Sequence, residues 1–263
     1  MQIFAEIIEN KEIAKDIYNM IVLSKEIASV ALPGQFAHIR VRDSIDPLLR
    51  RPISICDVDK HNDTVRLIYR KQGHGTTILS KLKPLDTVDM LAPLGKGTFP
   101  CENNYNDVYL IGGGIGAPPL LYAAKILTNK GSQITTVLGF ASKEQAILEA
   151  EFQQYGNTIV YTIDGTHGKK GLVTDYFNNI KPNIILACGP ISMLKAIKYH
   201  PNLSRTNGFL SLEEHMACGI GACMGCVTKV SKQSLDIQVS STEWKYEKVC
   251  DCGPVFPMEK VVL

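Results

Sequence analysis

The stretch VYLIGGGIGAPPLLYAAKILTNKG, residues 108–131, reads as a buried strand, a glycine turn and a helix, and the rhythm of the chain differs on its two sides. Pro118 and Pro119 suit the first helical turn, Leu120, Ala124 and Leu127 share a face, and Gly131 suits the C-terminal cap. Before it lie short β-rich runs, FAEII, MIVLS, QFAHIRV, TVRLIYRK and TVDMLAPL, separated by turn signals at Pro33-Gly34, His61–Asp63 and LGKG. No helical period intervenes, which predicts a small antiparallel barrel. After it, strand-like TTVLGF, TIVYTI and NIILACG alternate with helical stretches around Lys143–Tyr155, Val173–Asn179 and Ile191–His200, the pattern of a doubly wound parallel sheet. The expected organisation is therefore multi-domain: an N-terminal antiparallel β-barrel over residues 1–101, a central α/β parallel sheet over 102–209, and a small cysteine-rich unit over 210–263. There is no internal repeat and no low-complexity segment.

Length and composition bound the function. A chain of 263 residues, 45% apolar and 21% charged, can bury a sizeable core. A formal net charge of +2 offers no electrostatic case for nucleic acid or an anionic membrane. The N-terminal MQIFAEIIENKEIAKDIYNMIVL carries acids among its apolar residues, and its longest apolar run is too short for a signal segment or a membrane span. A cytoplasmic protein is expected, whose eight cysteines stay reduced and serve metal or redox chemistry rather than disulfides.

The glycine turn carries the first chemical motif. Gly112, Gly114 and Ala117 occupy the G-x-G-x-x-G/A positions after a strand and before a helix, with Gly113 and Gly116 between them. Such a turn lets the backbone approach a pyrophosphate, whose charge the helix N-terminus then meets with unpaired N–H groups. The acid that closes the next strand in the simplest NAD-binding pattern is missing, since that strand ends Leu138-Gly139-Phe140. Glu144 lies a little beyond, and its better reading is a solvated acid at a helix start.

Near the C-terminus, EEHMACGIGACMGCVTKV sets Cys218, Cys223 and Cys226 in one glycine-rich loop. Disulfides, zinc and an iron–sulfur cluster compete for it. The spacing Cys218-x4-Cys223-x2-Cys226, followed by a distant cysteine, is that of plant-type [2Fe–2S] ligation. Zinc prefers a C-x2-C knuckle at each end of its site, whereas here Cys223 and Cys226 form one and the far pair, Cys250 and Cys252, is C-x-C. Spacing favours iron–sulfur and leaves the choice between Cys250 and Cys252 open. Cys56 and Cys101 read as packing or surface thiols, and Trp244 as packing over the cluster or facing a partner.

The first zone adds LLRRPISI and LIYRKQGHGTTIL. Arg51 before a fixed-φ proline and Ser54 places an anion clamp and a hydroxyl on one rigid strand end. Gly73, Gly75, Thr76 and Thr77 offer N–H groups and hydroxyls for a phosphate. Alone, either piece reads as a surface charge or a capped turn. Together they resemble the ferredoxin-reductase-type flavoproteins, in which R-x-(Y/I)-S and a later G-x-x-(S/T) bind flavin in a barrel and a following α/β domain binds the nicotinamide nucleotide. ACGP, which holds Cys188, Gly189 and Pro190, stands where that family borders the nicotinamide; by itself Cys188 reads as a small buried residue.

LLRRPIS, GGGIGAPPL, ACGP, SLEEHMACGIGACMGC and the closing VC-x-x-GPVF span nearly the whole chain. Over that span it resembles the electron-transfer subunits of the NAD-linked, type B dihydroorotate dehydrogenases. That resemblance implies FAD held by Arg51, Pro52, Ile53, Ser54, Ile68, Tyr69, Arg70, Gly75 and Thr76, with Arg51 neutralising the pyrophosphate and Ser54 near the ring N5. It implies NAD at Gly112, Gly113, Gly114, Gly116, Cys188, Gly189 and Pro190, and a [2Fe–2S] cluster on Cys218, Cys223, Cys226 and Cys250. It further implies a separate FMN-containing catalytic subunit, in a heterotetramer of two of each, that oxidises dihydroorotate in de novo pyrimidine (UMP) biosynthesis. Electrons would pass from that FMN through the cluster to FAD and leave as hydride to NAD+, without a general acid or base from this chain. Two rivals stand beside this expectation: an NAD(P)H-linked reductase with another partner such as ferredoxin, and a non-redox module stabilised by zinc.

Overall fold

The computed structural model describes residues 1–231 and 243–263. The first six strands are β1 (Gln2–Ala14), β2 (Ile17–Leu23), β3 (Phe36–Arg40), β4 (Arg51–Asp59), β5 (Thr64–Arg70) and β6 (Thr87–Leu94), with short helices α1 (Lys25–Val30) and α2 (His74–Leu79) in the connections. They close into a barrel in the order β1-β2-β5-β4-β3-β6, all pairs antiparallel. Strand alternation sends Ala5, Ile7, Met20, Val22, Leu67, Tyr69, Val88 and Met90 into its interior.

The second layer begins with β7 (Asp107–Gly113), a 3-10 turn at Gly114–Gly116 and α3 (Pro118–Asn129). It continues through β8 (Gln133–Phe140), α4 (Glu149–Phe152), β9 (Gly156–Thr162), the two-residue β10 (Lys169–Lys170), β11 (Ile184–Cys188), α5 (Ile191–Tyr199) and β12 (Asn207–Ser211). β13 (Val227–Ser231) and β14 (Trp244–Lys248) then form a separate antiparallel ladder, and β15 (Val255–Pro257) ends the chain. The seven-stranded sheet runs β10-β9-β8-β7-β11-β12-β15, parallel except for β15. β7 to β10 build outward in one direction and β11 starts again on the other side of β7. The carboxyl ends of β7 and β11 therefore flank the switch point, where open α/β sheets place their ligands. β15 carries the chain from the cysteine loop back into this sheet.

Two expected helices take other forms. Lys143–Tyr155 divides into a 3-10 turn at Lys143–Gln145 and the four-residue α4. Between them Ile147 and Leu148 are drawn into the core, with Leu148 left-handed at φ 64°. Val173–Asn179 is a 3-10 helix whose Val173 and Phe177 are buried.

One apolar cluster joins barrel and sheet, with Ile17, Cys56 and Ile68 packed among residues of α3 and β7. α3 lies between them: the Lys125 Nζ donates to Asp57 Oδ1 at 3.0 Å and to the Val58 carbonyl at 2.8 Å, and the Tyr122 hydroxyl donates to the Ala31 carbonyl at 3.1 Å. Arg66 on β5 grips Glu151 on α4 with both terminal nitrogens. Among the described residues no helix is long and apolar enough to cross a membrane.

Candidate redox centre

The nucleotide turn and the ACGP turn meet. A Cβ at Gly116 would run into the Cys188 carbonyl, and one at Gly113 would come within 3.0 Å of Pro190 Cδ. Gly189 packs on the Gly113 backbone at 3.1 Å from its virtual Cβ. Both strands carry their turns to this point because Cys188 on β11 is in register with Gly112 on β7. Gly114 has φ +53°, a left-handed conformation that favours glycine. Burial pushes the Cys188 thiol up to about 12, with the Ser211 hydroxyl pulling the other way, so it stays protonated. Glu144 is an exposed partner of Lys15 at 3.3 Å, as a solvated helix-start acid would be.

In the barrel, Arg51 begins β4 and packs its guanidinium directly against Gly75 at the start of α2, where a Cβ would collide with it. The two halves of the anion clamp, 24 residues apart in sequence numbering from 51 to 75, thus form one edge. Thr76 Oγ1 accepts from the Gln72 and Gly73 backbone N–H groups at 3.0 and 3.1 Å, holding the turn in shape. Arg70 reaches across to the nucleotide turn, with Nη2 at 3.7 Å from a virtual Cβ on Gly114. Pro52, Ile53 and Ser54 are half-buried beside Arg51. Ile68 packs into the core shared with the sheet, and Tyr69 turns into the barrel. The Tyr69 ring stacks on Tyr18 with centroids 5.6 Å apart and its hydroxyl donates to Asn10 Oδ1 at 2.9 Å, so its side chain is committed to the barrel.

The four cysteines gather as two pairs. Cys218 and Cys223 share a side-chain hydrogen bond, and so do Cys226 and Cys250. Backbone N–H groups point at the sulfurs: Gly221 to Cys250 Sγ at 3.2 Å, Cys223 to Cys218 Sγ at 3.4 Å, and Cys250 to Cys226 Sγ at 3.4 Å. All eight cysteines are free thiols. Among the described residues no three or more His, Cys, Asp or Glu side chains converge as a single-ion cage. A two-plus-two set with N–H groups aimed at sulfur instead suits a two-iron cluster, each iron taking two thiolates. Cys252 is exposed and outside this set.

Electrostatics prepare the pairs differently. Burial pushes the Cys218 thiol up, but the N–H groups of Ile220, Cys223 and Ala222 and the Cys223 thiol outweigh it and bring it down to about 6. Burial first, then the Cys226 thiol, pushes Cys250 up to about 12. The loop is held by Lys248, whose Nζ donates to the Gly221 carbonyl at 2.6 Å. The Cys250 segment is stapled to the barrel exit by Gly97 N–H to Gly253 O at 2.9 Å and Lys96 N–H to Asp251 O at 3.1 Å.

Sequence reasoning missed His38. It is fully buried on β3, pairs in register with Pro52 on β4, and presses Nδ1 against Gly219 of the cysteine loop. Its only signal in the sequence is a histidine among apolar residues in QFAHIRV, the ordinary signature of a core position. Trp244 is part-exposed on β14, with Lys229 Nζ 4.5 Å from its ring centroid. Cys56 and Cys101 are buried packing residues, their thiols pushed up by burial.

Comparison with known proteins places these features in a family. Residues 213–262 match the family described as the iron-sulfur cluster binding domain of dihydroorotate dehydrogenase B. The chain is 44% identical over 261 residues to the "Dihydroorotate dehydrogenase B (NAD(+)), electron transfer subunit" of Geobacillus sp. (strain WCH70), covering 98% of this chain and 97% of that protein. It is 42% identical over the same length to the protein of that name from Bacillus mycoides (strain KBAB4). Among solved structures, one of an NADH-dependent reduced ferredoxin-NADP oxidoreductase superposes with a TM-score of 0.84 at 32% identity, covering 98% of this chain and 89% of that one. The ferredoxin-NADP+ reductase of Plasmodium falciparum shares the fold, with a TM-score of 0.61 at 15% identity over 80% of this chain and 96% of its own.

Proposed function

The chain belongs to the electron transfer subunits of the NAD(+)-linked dihydroorotate dehydrogenase B family, and we propose that it carries electrons from a catalytic subunit that oxidises dihydroorotate to NAD+. Its cofactors are FAD, a [2Fe–2S] cluster and NAD. Bound FAD supplies the conversion between single electrons, which the cluster carries, and the hydride that a nicotinamide accepts. Everything else is positioning by this chain. Cys218, Cys223, Cys226 and Cys250 hold the cluster as thiolates, with the loop N–H groups favouring the charged sulfurs. Arg51 meets the FAD pyrophosphate with a fork of donors, the Gly75–Thr76 turn adds backbone N–H groups, and Ser54 offers its hydroxyl beside the ring. Pro52, Ile53, Ile68, Arg70 and the backbone of Tyr69 line the same groove. The turn from Gly112 to Gly116 receives the NAD pyrophosphate, and Cys188, Gly189 and Pro190 border the nicotinamide; the protonated Cys188 thiol packs there without acting as a base. By function the chain divides into a flavin unit at 1–101, a nucleotide unit at 102–209 and a cluster unit at 210–263.

The assembly we propose is a cytoplasmic heterotetramer of two such chains and two catalytic subunits. Exposed Ile220 and Met224 in the cluster loop, 58% and 61% accessible, support a partner seated over the cluster. The observation that carries the whole reading is the two-plus-two set of cysteines packed against a barrel whose Arg51 rests on Gly75 and whose Arg70 reaches the Gly114 turn. The test is to purify the chain without oxygen, together with a dihydroorotate dehydrogenase catalytic subunit, and to follow dihydroorotate-dependent NAD+ reduction. Flavin and iron–sulfur absorption with NADH formation is expected. A colourless zinc protein, or a coloured one that reduces ferredoxin but gives no orotate-linked NADH, overturns it.

A further inference from the structure

His38 is a buried polar side chain whose ring makes no hydrogen bond of normal geometry to the described residues. Its exposure is 0%, and among the described residues neither Nδ1 nor Nε2 has a hydrogen-bond partner. The carbonyls of Arg50 and Cys218 face the ring without meeting hydrogen-bond geometry. A buried donor left unmet is destabilising, so a fold that keeps one has a use for it or fills it from outside the chain.

The surroundings fix where the ring can act. Its backbone is tied on both sides, to β4 through the Pro52 register and to β6 through Leu91. Arg50 Nη1 donates to the Asp89 carbonyl at 2.9 Å and lies 3.4 Å from the His38 carbonyl, closing the strand end. The ring leans toward Phe36, centroids 6.5 Å apart, and on its free side meets Gly219, where a Cβ would stand 2.9 Å from Cε1 and 3.0 Å from Cγ. Gly219 follows Cys218 directly and has φ +70°. One rigid ring therefore spans from the arginine-proline-serine strand of the barrel to the peptide of the first cysteine.

We propose that His38 is a positioning residue for the redox pair: it fixes the Cys218–Gly219 turn at a set distance from the flavin strand and presents its ring N–H to the Cys218–Gly219 peptide beside the first thiolate. A reduced cluster carries one more negative charge, so a donor aimed at its ligands favours the reduced form and raises the potential. The inference rests on the cluster assignment made above.

The holoprotein, with its catalytic subunit bound, tests it by redox titration monitored by EPR. His38→Leu removes both nitrogens at similar volume; His38→Asn keeps an amide N–H near the Nδ1 position. The Leu variant is expected to lower the cluster midpoint by about 59 mV, a tenfold change in the reduced-to-oxidised ratio for one electron, while Asn stays within twofold of the wild type. A Leu midpoint within twofold of wild type overturns the proposal, as does an Asn shift equal to that of Leu, which would mean packing alone. If the Leu variant fails to take up a cluster, the decision moves to histidine labelled with nitrogen-15 in a His215→Gln background. A weak histidine nitrogen coupling to the reduced cluster in pulsed EPR then supports the proposal, and its absence overturns it. A preparation with no [2Fe–2S] signal in any variant defeats the cluster assignment instead, so the two failures are distinguishable.

Discussion

Gly75 shows how one missing side chain makes room for an arginine at the proposed FAD edge. The Arg51 guanidinium occupies the space a Cβ would take, and because the obstruction is the tip of a flexible chain, Gly75→Ala should displace the arginine and leave the barrel intact. The expected result is FAD binding about tenfold weaker, about 1.4 kcal/mol, with an unchanged thermal transition; flavin fluorescence titration of the apoprotein measures it. The cysteines differ as sharply. With its pKa brought below the ordinary thiol value to about 6, Cys218 is thiolate at neutral pH and becomes protonated as pH falls through 6. Cys250, pushed up to about 12, is a thiol across the same range. In the cluster-free chain, iodoacetamide should label Cys218 first at pH 7.5, with a rate falling about tenfold per pH unit below 6, while Cys250 stays unlabelled; peptide mass mapping reads both.

At the scale of elements, two ion pairs tie the barrel to the sheet. Arg66 on β5 binds Glu151 on α4, and Lys125 on α3 binds Asp57 on β4. Each lies in a part-buried seam, where a hydrogen bond to a charged group contributes about 1.5–3 kcal/mol, more than a surface pair. Glu151→Gln and Asp57→Asn should each lower stability by about 1–3 kcal/mol in urea unfolding. Because the seam holds α3 and α4 against the barrel, NADH-driven flavin reduction should slow in the same variants. An unchanged urea midpoint would show that the shared apolar core alone holds the two layers in register.

For the whole molecule, the cysteine-rich segment is laid against two pieces of the barrel: the exit at Gly95–Gly97 and the middle of β3 at His38. Its outer side carries Ile220 and Met224 in the open. Met224→Glu should weaken association with the catalytic subunit at least tenfold while the cluster spectrum of the chain stays the same. Sedimentation of the mixed subunits checks the first, and also whether the complex has the mass of two of each; visible absorption checks the second. Loss of the cluster in this variant would place Met224 in the packing of the loop rather than on a docking face.

The linear order of residues determined what depends on local chemistry. Thiolate spacing in residues 218–226, the glycines that let β7 turn into α3, and the change from strand-only to strand-and-helix rhythm at Asp107 are each written in a short local stretch. What sequence could not carry were meetings between distant segments. That Arg51 rests on Gly75, that the Gly113 and Gly189 turns touch, that Cys250 rather than Cys252 faces Cys226, and that β15 rejoins the sheet all follow from sheet closure and register. Helices fared worst where the core pulled hardest, since burying Ile147 and Leu148 broke the 143–155 stretch in two. His38 is the plainest case. A histidine in a strand says nothing of its partners until the barrel closes and a glycine with φ +70°, far along the chain, is laid against its ring.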